Sequence, residues 1–160
     1  MIPEPQRGVL LVLIDLLAGL EQPWVVTGST GMALQGVPLE AHDIDLQTDA
    51  AGAYAIGQRL SAFVVTPVHE RISPRIRSHF GVFVIDGVTV EVMGAVQKLI
   101  DGLWEASVTV EEHRRWFLLE GQTVPVLSLV YEEQAYRAFG RIERAELLRR
   151  WLDDNPGQVL

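Results

Sequence analysis

Apolar residues fall into two rhythms along this chain, and the switches between them mark its elements. A helix is expected from Pro5 to Leu20, carrying the apolar run GVLLVLIDLLAGL from Gly8 onwards, with a proline at its start where a missing N–H is tolerated. Trp24–Thr27 is a short strand, followed by a turn at Gly28-Ser29. A helix from Thr30 to about Gly36 is closed by Gly36 and Pro38. Asp43–Gln47 then alternates strictly, Ile44 and Leu46 against Asp43, Asp45 and Gln47, which puts both carboxylates on one face of a strand. Ala50–Ala62 is helical, and Asp49 directly before it is placed to cap it. Phe63–Pro67 is a strand. Phe80–Ile85 and Val88–Met93 form a hairpin, because Asp86-Gly87 between two β-branched runs favours a tight turn. Ala95–Trp104 reads as a helix, and Val108–Leu127 as a strand pair turning at Glu120-Gly121-Gln122. The last helices are Leu129–Phe139 and Ile142–Leu152, broken at Gly140. Strands mixed with helices imply an α+β (α/β) fold, a mixed sheet with helices packed on it.

No repeat, low-complexity tract or linker interrupts this order. We expect one domain over residues 1–160, with a core at about 24–94 and a helical part at about 127–153. The apolar run from Gly8 to Leu20 carries Asp15 and falls short of the ~20 residues a membrane span needs. Glu4 beside Arg7 and the lack of an A-x-A site make it a poor signal peptide. No membrane partner is expected, and the expected location is cytoplasmic.

Composition narrows the chemistry. The chain lacks cysteine, which excludes disulfides, thiolate metal sites and thiol nucleophiles. Its 21 acidic residues outweigh 13 basic ones, for a net charge of −8, which argues against general nucleic-acid binding. A nucleotide held through a metal remains compatible with that charge. All the basic residues except Lys98 are arginine.

The richest segment is WVVTGSTGMALQGVPLEAHDIDLQTD, Trp24–Asp49. Asp43 and Asp45 lie about 7 Å apart on one strand face. Carboxylates that close repel unless a cation intervenes, and Mg²⁺ takes one or two carboxylates together with substrate phosphates. Gly28 lets a phosphate approach the backbone, and the Ser29 hydroxyl can donate to a phosphate oxygen. Glu91, set among apolar residues in VTVEVM, is the candidate third acid; a catalytic glutamate and a partly exposed edge glutamate both fit. RISPRIRSH, Arg71–His79, is either a loop that grips phosphate through Arg75 and Arg77 or a solvated loop. His42 reads as a surface group and the four tryptophans as core. The arginines of the last helix alternate with Glu143 and Glu146, and Ile142, Ala145, Leu148, Trp151 and Leu152 form an apolar stripe. That is a packed helix with a salt-bridged face, Glu146 to Arg150 among its pairs.

The order Gly28-Ser29, a spacer, Asp43-Ile44-Asp45 and a later strand glutamate, Glu91, resembles the nucleotidyltransferase superfamily, the DNA polymerase beta-like fold. SHFGVFVIDGVTVEVMG, Ser78–Gly94, looks like the hairpin that small members place before the third acid. The resemblance is to minimal, lincosamide, aminoglycoside and abortive-infection types. It implies a mixed sheet of nucleotidyltransferase type with C-terminal helices, and transfer of a nucleoside monophosphate from an NTP to a hydroxyl of a protein, RNA or small molecule. Asp43, Asp45 and Glu91 would be catalytic and hold Mg²⁺ (or Mn²⁺), Glu91 near the attacking hydroxyl. Gly28, Ser29, Arg75 and Arg77 would meet the nucleotide. Many relatives carry a lysine in the helix after the sheet; Tyr136 stands near that place here, Lys98 lies elsewhere, and Arg137 or Arg141 is the available substitute. Two other readings therefore accompany the first: a nucleotide-binding or interaction module of the same fold without turnover, and an antitoxin-type nucleotidyltransferase acting on a partner protein.

Overall fold

The computed structural model describes residues 2–159. Its backbone is a mixed sheet with five α-helices among the described residues. In chain order these are α1 (Glu4–Leu16), β1 (Trp24–Thr27), α2 (Gly28–Leu34), β2 (Ile44–Thr48), α3 (Ala50–Arg59), β3 (Val64–Ile72), β4 (Ile76–Ile85), β5 (Val88–Ile100), β6 (Leu103–Trp104), β7 (Arg114–Leu119), β8 (Gln122–Leu127), α4 (Leu129–Ala138) and α5 (Ile142–Asp154). The sheet order is β3-β4-β5-β2-β1-β8-β7, with β6 paired to the end of β5. β2 runs parallel to β5 and β1 parallel to β8, while the remaining neighbours are antiparallel. Among the described residues no helix is long and apolar enough to cross a membrane.

Period-two alternation divides the central strands into two faces. Val26, Ile44, Leu46, Val90 and Val92 are fully buried and share one cluster with Val9, Leu10 and Leu13 of α1 and Ala53 and Ile56 of α3. Thr27, Asp45, Gln47 and Glu91 are out of phase with them, on the opposite face. α3 closes tightly on β5: a Cβ at Gly94 would lie 2.7 Å from that of Ala53, so only glycine fits there. Asp49 does cap α3, its side chain accepting from the Gly52 N–H at 2.6 Å. α5 buries Ala145, Leu148 and Leu152, the last two against Met32 and Val37.

Four expectations are corrected. Ala95–Trp104 is not a helix; β5 runs unbroken to Ile100 because β4 supplies it with a partner as far as Ile76 opposite Lys98. Arg71–His79 is not a loop but the arms of the β3–β4 hairpin, with residues 73–75 at its tip. The tryptophans are not all core, since Trp116 on the edge strand β7 is 60% exposed under the Arg114 guanidinium. The last helix also pairs differently: Glu146 binds Arg137 of α4 at 3.0 Å, and Arg149 binds Asp153.

Candidate active site

The site grows from the end of β1. Thr27 is extended and Gly28 turns to φ +68°, the left-handed region, as α2 begins. A Cβ on Gly28 would fall on the Asp45 carboxylate, 3.2 Å from its Cγ, so close approach and backbone conformation both demand glycine. The Thr30 hydroxyl donates to the Asp43 carbonyl at 2.9 Å, and the Ser29 hydroxyl accepts from the His42 N–H at 3.2 Å. These bonds tie the turn to the segment entering β2. Asp43 is exposed and sits one residue before that strand.

Register brings the acids together. Asp45 lies opposite Thr27 on β1 and opposite Glu91 on β5. β5 is hydrogen-bonded to both β2 and β4, so Glu91 is in the sheet interior and the edge alternative is set aside. Burial, then repulsion from Glu91 and Asp43, pushes the Asp45 carboxyl up to about 8. Asp45 and Glu91 stand side by side across the β2–β5 register, close enough for each to feel the other's charge. Among the described residues no three acidic or histidine side chains converge as a ready-made metal cage. A pair of crowded hard oxygens, with Asp43 adding its field, is nevertheless the donor set Mg²⁺ uses when phosphates and waters complete its shell.

Two site residues had no motif to reveal them. Glu132 of α4, fully buried, reaches across to Thr27 and Gly28: it accepts from the Thr27 hydroxyl and from the Gly28 N–H at 3.1 Å. Burial raises its carboxyl to about 7, even though those two bonds and Lys98 favour the charge. Lys98 is the other. Between Arg77 opposite Gln97 and His79 opposite Gly94, β5 holds one residue more than β4. That is a β-bulge, with Ala95 at φ +52°. The bulge reverses the alternation, so Val96 and Lys98 share the lining of one cleft with Asp45 and Met93. Lys98 is 7% exposed, its Nζ 3.4 Å from the Tyr131 hydroxyl and over the Tyr131 and Phe139 rings. Burial lowers its ammonium from the usual value. The sole lysine thus returns to the site that its position in the chain seemed to rule out.

The cleft holds about 410 Å³ between the sheet and α4. Thr27, Gly28, Asp45 and Glu132 line it together with Ser73, Arg75, Lys98 and Phe139. Arg75 reaches it from the β3–β4 tip, donating to the Phe139 carbonyl at 3.0 Å. Arg77 does not line it; its Nε donates to Gln97 at 2.8 Å and its guanidinium covers the Trp104 ring. Of the two candidate substitutes for a helix lysine, Arg141 lines the cleft, while Arg137 is bound by Glu133 and Glu146.

The model of the aminoglycoside-2''-adenylyltransferase family matches residues 9–149, most of the chain and all of this site. The chain belongs to that family. A Thermotoga maritima protein provisionally described as a nucleotidyltransferase is 46% identical, with 96% of each chain covered and a TM-score of 0.85. At the level of fold, the chain is similar to a lincomycin-bound lincosamide antibiotic adenylyltransferase, at 12% identity, 92% and 97% coverage and TM-score 0.58. It is also similar to the antibiotic-resistance factor ANT(2'')-Ia in complex with adenylyl-2''-tobramycin, at 13% identity, 92% and 89% coverage and TM-score 0.59. A search of curated proteins finds no match. Family and fold together make this member of the adenylyltransferase family an enzyme of the nucleotidyltransferase kind.

Proposed function

We propose that this adenylyltransferase-family member moves a nucleoside monophosphate from an NTP to the hydroxyl of a small molecule, with a divalent metal. The observation that carries the reading is the register that sets Asp45 beside Glu91 and under the Gly28 turn. Asp43, Asp45 and Glu91 would hold the metal, Mg²⁺ or Mn²⁺, which when bound neutralises phosphate charge. The Gly28-Ser29 turn would face the phosphates, where a backbone without a Cβ lets an oxygen come close. Glu91 would take the hydroxyl proton as the acceptor oxygen bonds to the α-phosphorus and pyrophosphate leaves. A cleft of about 410 Å³ walled by α4 suits a small acceptor better than a protein or an RNA. An NTP donor makes the cytoplasm the place of work.

The test uses α-labelled NTPs, Mg²⁺ or Mn²⁺, and a panel of small hydroxyl compounds, with labelled products resolved chromatographically. Label should move to an acceptor with the wild type. It should not move when Asp43→Asn and Asp45→Asn are combined, and transfer that survives the pair defeats the assignment.

A further inference from the structure

The sheet has two outer strands, and their edges are built differently. β3 closes one side. It carries Pro67, which has no N–H to offer a further strand, and its register with β4 shifts twice between Val64 and His69. Proline and bulges of this kind keep an edge from pairing with another chain. β7 closes the other side with neither device. Its ladder to β8 runs without a shift from Arg114 to Leu119, and among the described residues no strand lies along its outer side. Phe117 and Leu119 pack on the core that α1 shares. Trp116 and Leu118, out of phase with them, are 60% and 66% exposed.

The β7 edge is complementary to itself. A second copy entering antiparallel, about a two-fold axis normal to the sheet, leaves every side chain on its own face. With the axis through Phe117, Trp116 meets Leu118 of the second copy and Arg114 meets Glu120 of the second copy, each contact occurring twice. Other centres are poorer. An axis through Arg115 brings two guanidinium groups together, one through Trp116 sets Arg114 against Leu118, and one through Leu118 sets Trp116 against Glu120. Apolar partners and opposite charges directly across a strand pair stabilise it, while like charges weaken it. Arg114 and Glu120 are available for this use, since among the described residues neither forms an ion pair within the chain. Arg114 lies over the Trp116 ring at 4.9 Å, and Glu120 is exposed at the β7–β8 turn.

We propose that this chain forms a symmetric dimer by pairing β7 with β7 of a second copy, which joins the two sheets into one and covers Trp116 with Leu118. Such a contact uses the same patch on both subunits and closes on itself, so an edge open to aggregation is consumed in a dimer. No residue of β7 or of the turn after it lines the cleft that holds Asp45 and Gly28. The dimer therefore stands independently of the transfer reading.

Sedimentation equilibrium of the full chain, from about 1 to about 100 μM, should give the mass of two chains at the upper end. Trp116→Ser should weaken the dimer by at least about tenfold, as loss of an aromatic anchor does. Arg114→Glu and Glu120→Arg should each weaken it by about tenfold, because each sets like charges opposite one another. The two reversals combined should bring the affinity back to within about threefold of the wild type, a recovery that neither general damage nor a contact elsewhere produces. Amide hydrogen exchange of the wild type locates the contact without any variant: β7 amides should slow between the dilute and the concentrated protein while β3 amides do not. A wild type that stays monomeric at about 100 μM overturns the proposal. So does a dimer insensitive to Trp116→Ser, a double reversal no better than the single ones, or slowing confined to β3.

Discussion

The two faces of β1, β2 and β5 are built from neighbouring residues and do opposite work. On one face, Val26, Ile44, Leu46, Val90 and Val92 are sealed beneath α1 and α3. On the other, Thr27, Asp45, Gln47 and Glu91 look towards α4, where charge is held at close range without full compensation. Hydrophobic burial on the first face can carry this strain on the second. Full burial of one large aliphatic side chain contributes roughly 1.5–3 kcal/mol, so a few of them outweigh one crowded carboxylate. The difference teaches that a two-residue period stabilises the fold and positions the acids at the same time.

Substitutions on the two faces should therefore separate stability from activity. The largest effect is expected on the open face: Asp45→Asn should lower nucleotidyl transfer by about a hundredfold or more, comparable to removing a group that stabilises developing charge. The same change should leave metal-free thermal stability unchanged or raised, because it removes a carboxylate repelled by Glu91 and Asp43. Leu46→Ala, one position along the same strand, should do the reverse. It should lose about 2–5 kcal/mol in denaturant titration through the cavity it leaves, and retain activity per folded molecule at low temperature. A variant at Asp45 that unfolds the protein, or one at Leu46 that spares stability, would break the contrast.

Gly28→Ala joins the two faces, since it meets both a left-handed φ and the Asp45 carboxylate. Backbone strain of this kind costs about 1–3 kcal/mol, and displacement of Asp45 should add a loss of transfer. The Glu132 carboxyl gives a pH signature. Its folded value is raised from 4.5 to about 7, so the native state binds the extra proton between those values. Metal-free stability attributable to Glu132 is complete below about pH 4.5 and falls as pH rises through about 7. Glu132→Gln keeps an acceptor oxygen for Thr27 and Gly28, so it should flatten that fall in thermal melts taken from pH 4.5 to 8. The smallest effect belongs to the sealed side: Asp49→Ala removes the α3 cap bond to Gly52 and should cost about 1 kcal/mol with transfer intact.

Much of this contrast was legible in the sequence because it rests on local signals. The alternation in Asp43–Gln47, the Gly28-Ser29 turn and the Asp86-Gly87 hairpin each declare themselves within a few residues, and β1, β2 and the start of β5 lie where those signals put them. Lys98 and Glu132 were hidden for the opposite reason. Lys98 faces the cleft only because β5 extends along β4 and bulges at Ala95, a non-glycine residue in the left-handed region, which no local pattern announces. Glu132 sits in a helix whose polar residues look solvated until α4 is laid over Thr27 and Gly28. Both are products of packing between distant segments, and a reading of periods and turns does not reach them. Arg75 and Arg77, two positions apart on either side of the β4 start, were read together but part company in space.

The central claim is that the Asp45–Glu91 face under Gly28 receives metal and triphosphate. Crystals soaked with Mg²⁺ and a non-hydrolysable NTP test it most directly. The account predicts metal density joining Asp43, Asp45 and the phosphates, with a phosphate against the Gly28-Ser29 turn. Phosphates bound to Lys98 and Arg141, with no metal at Asp45, would contradict it.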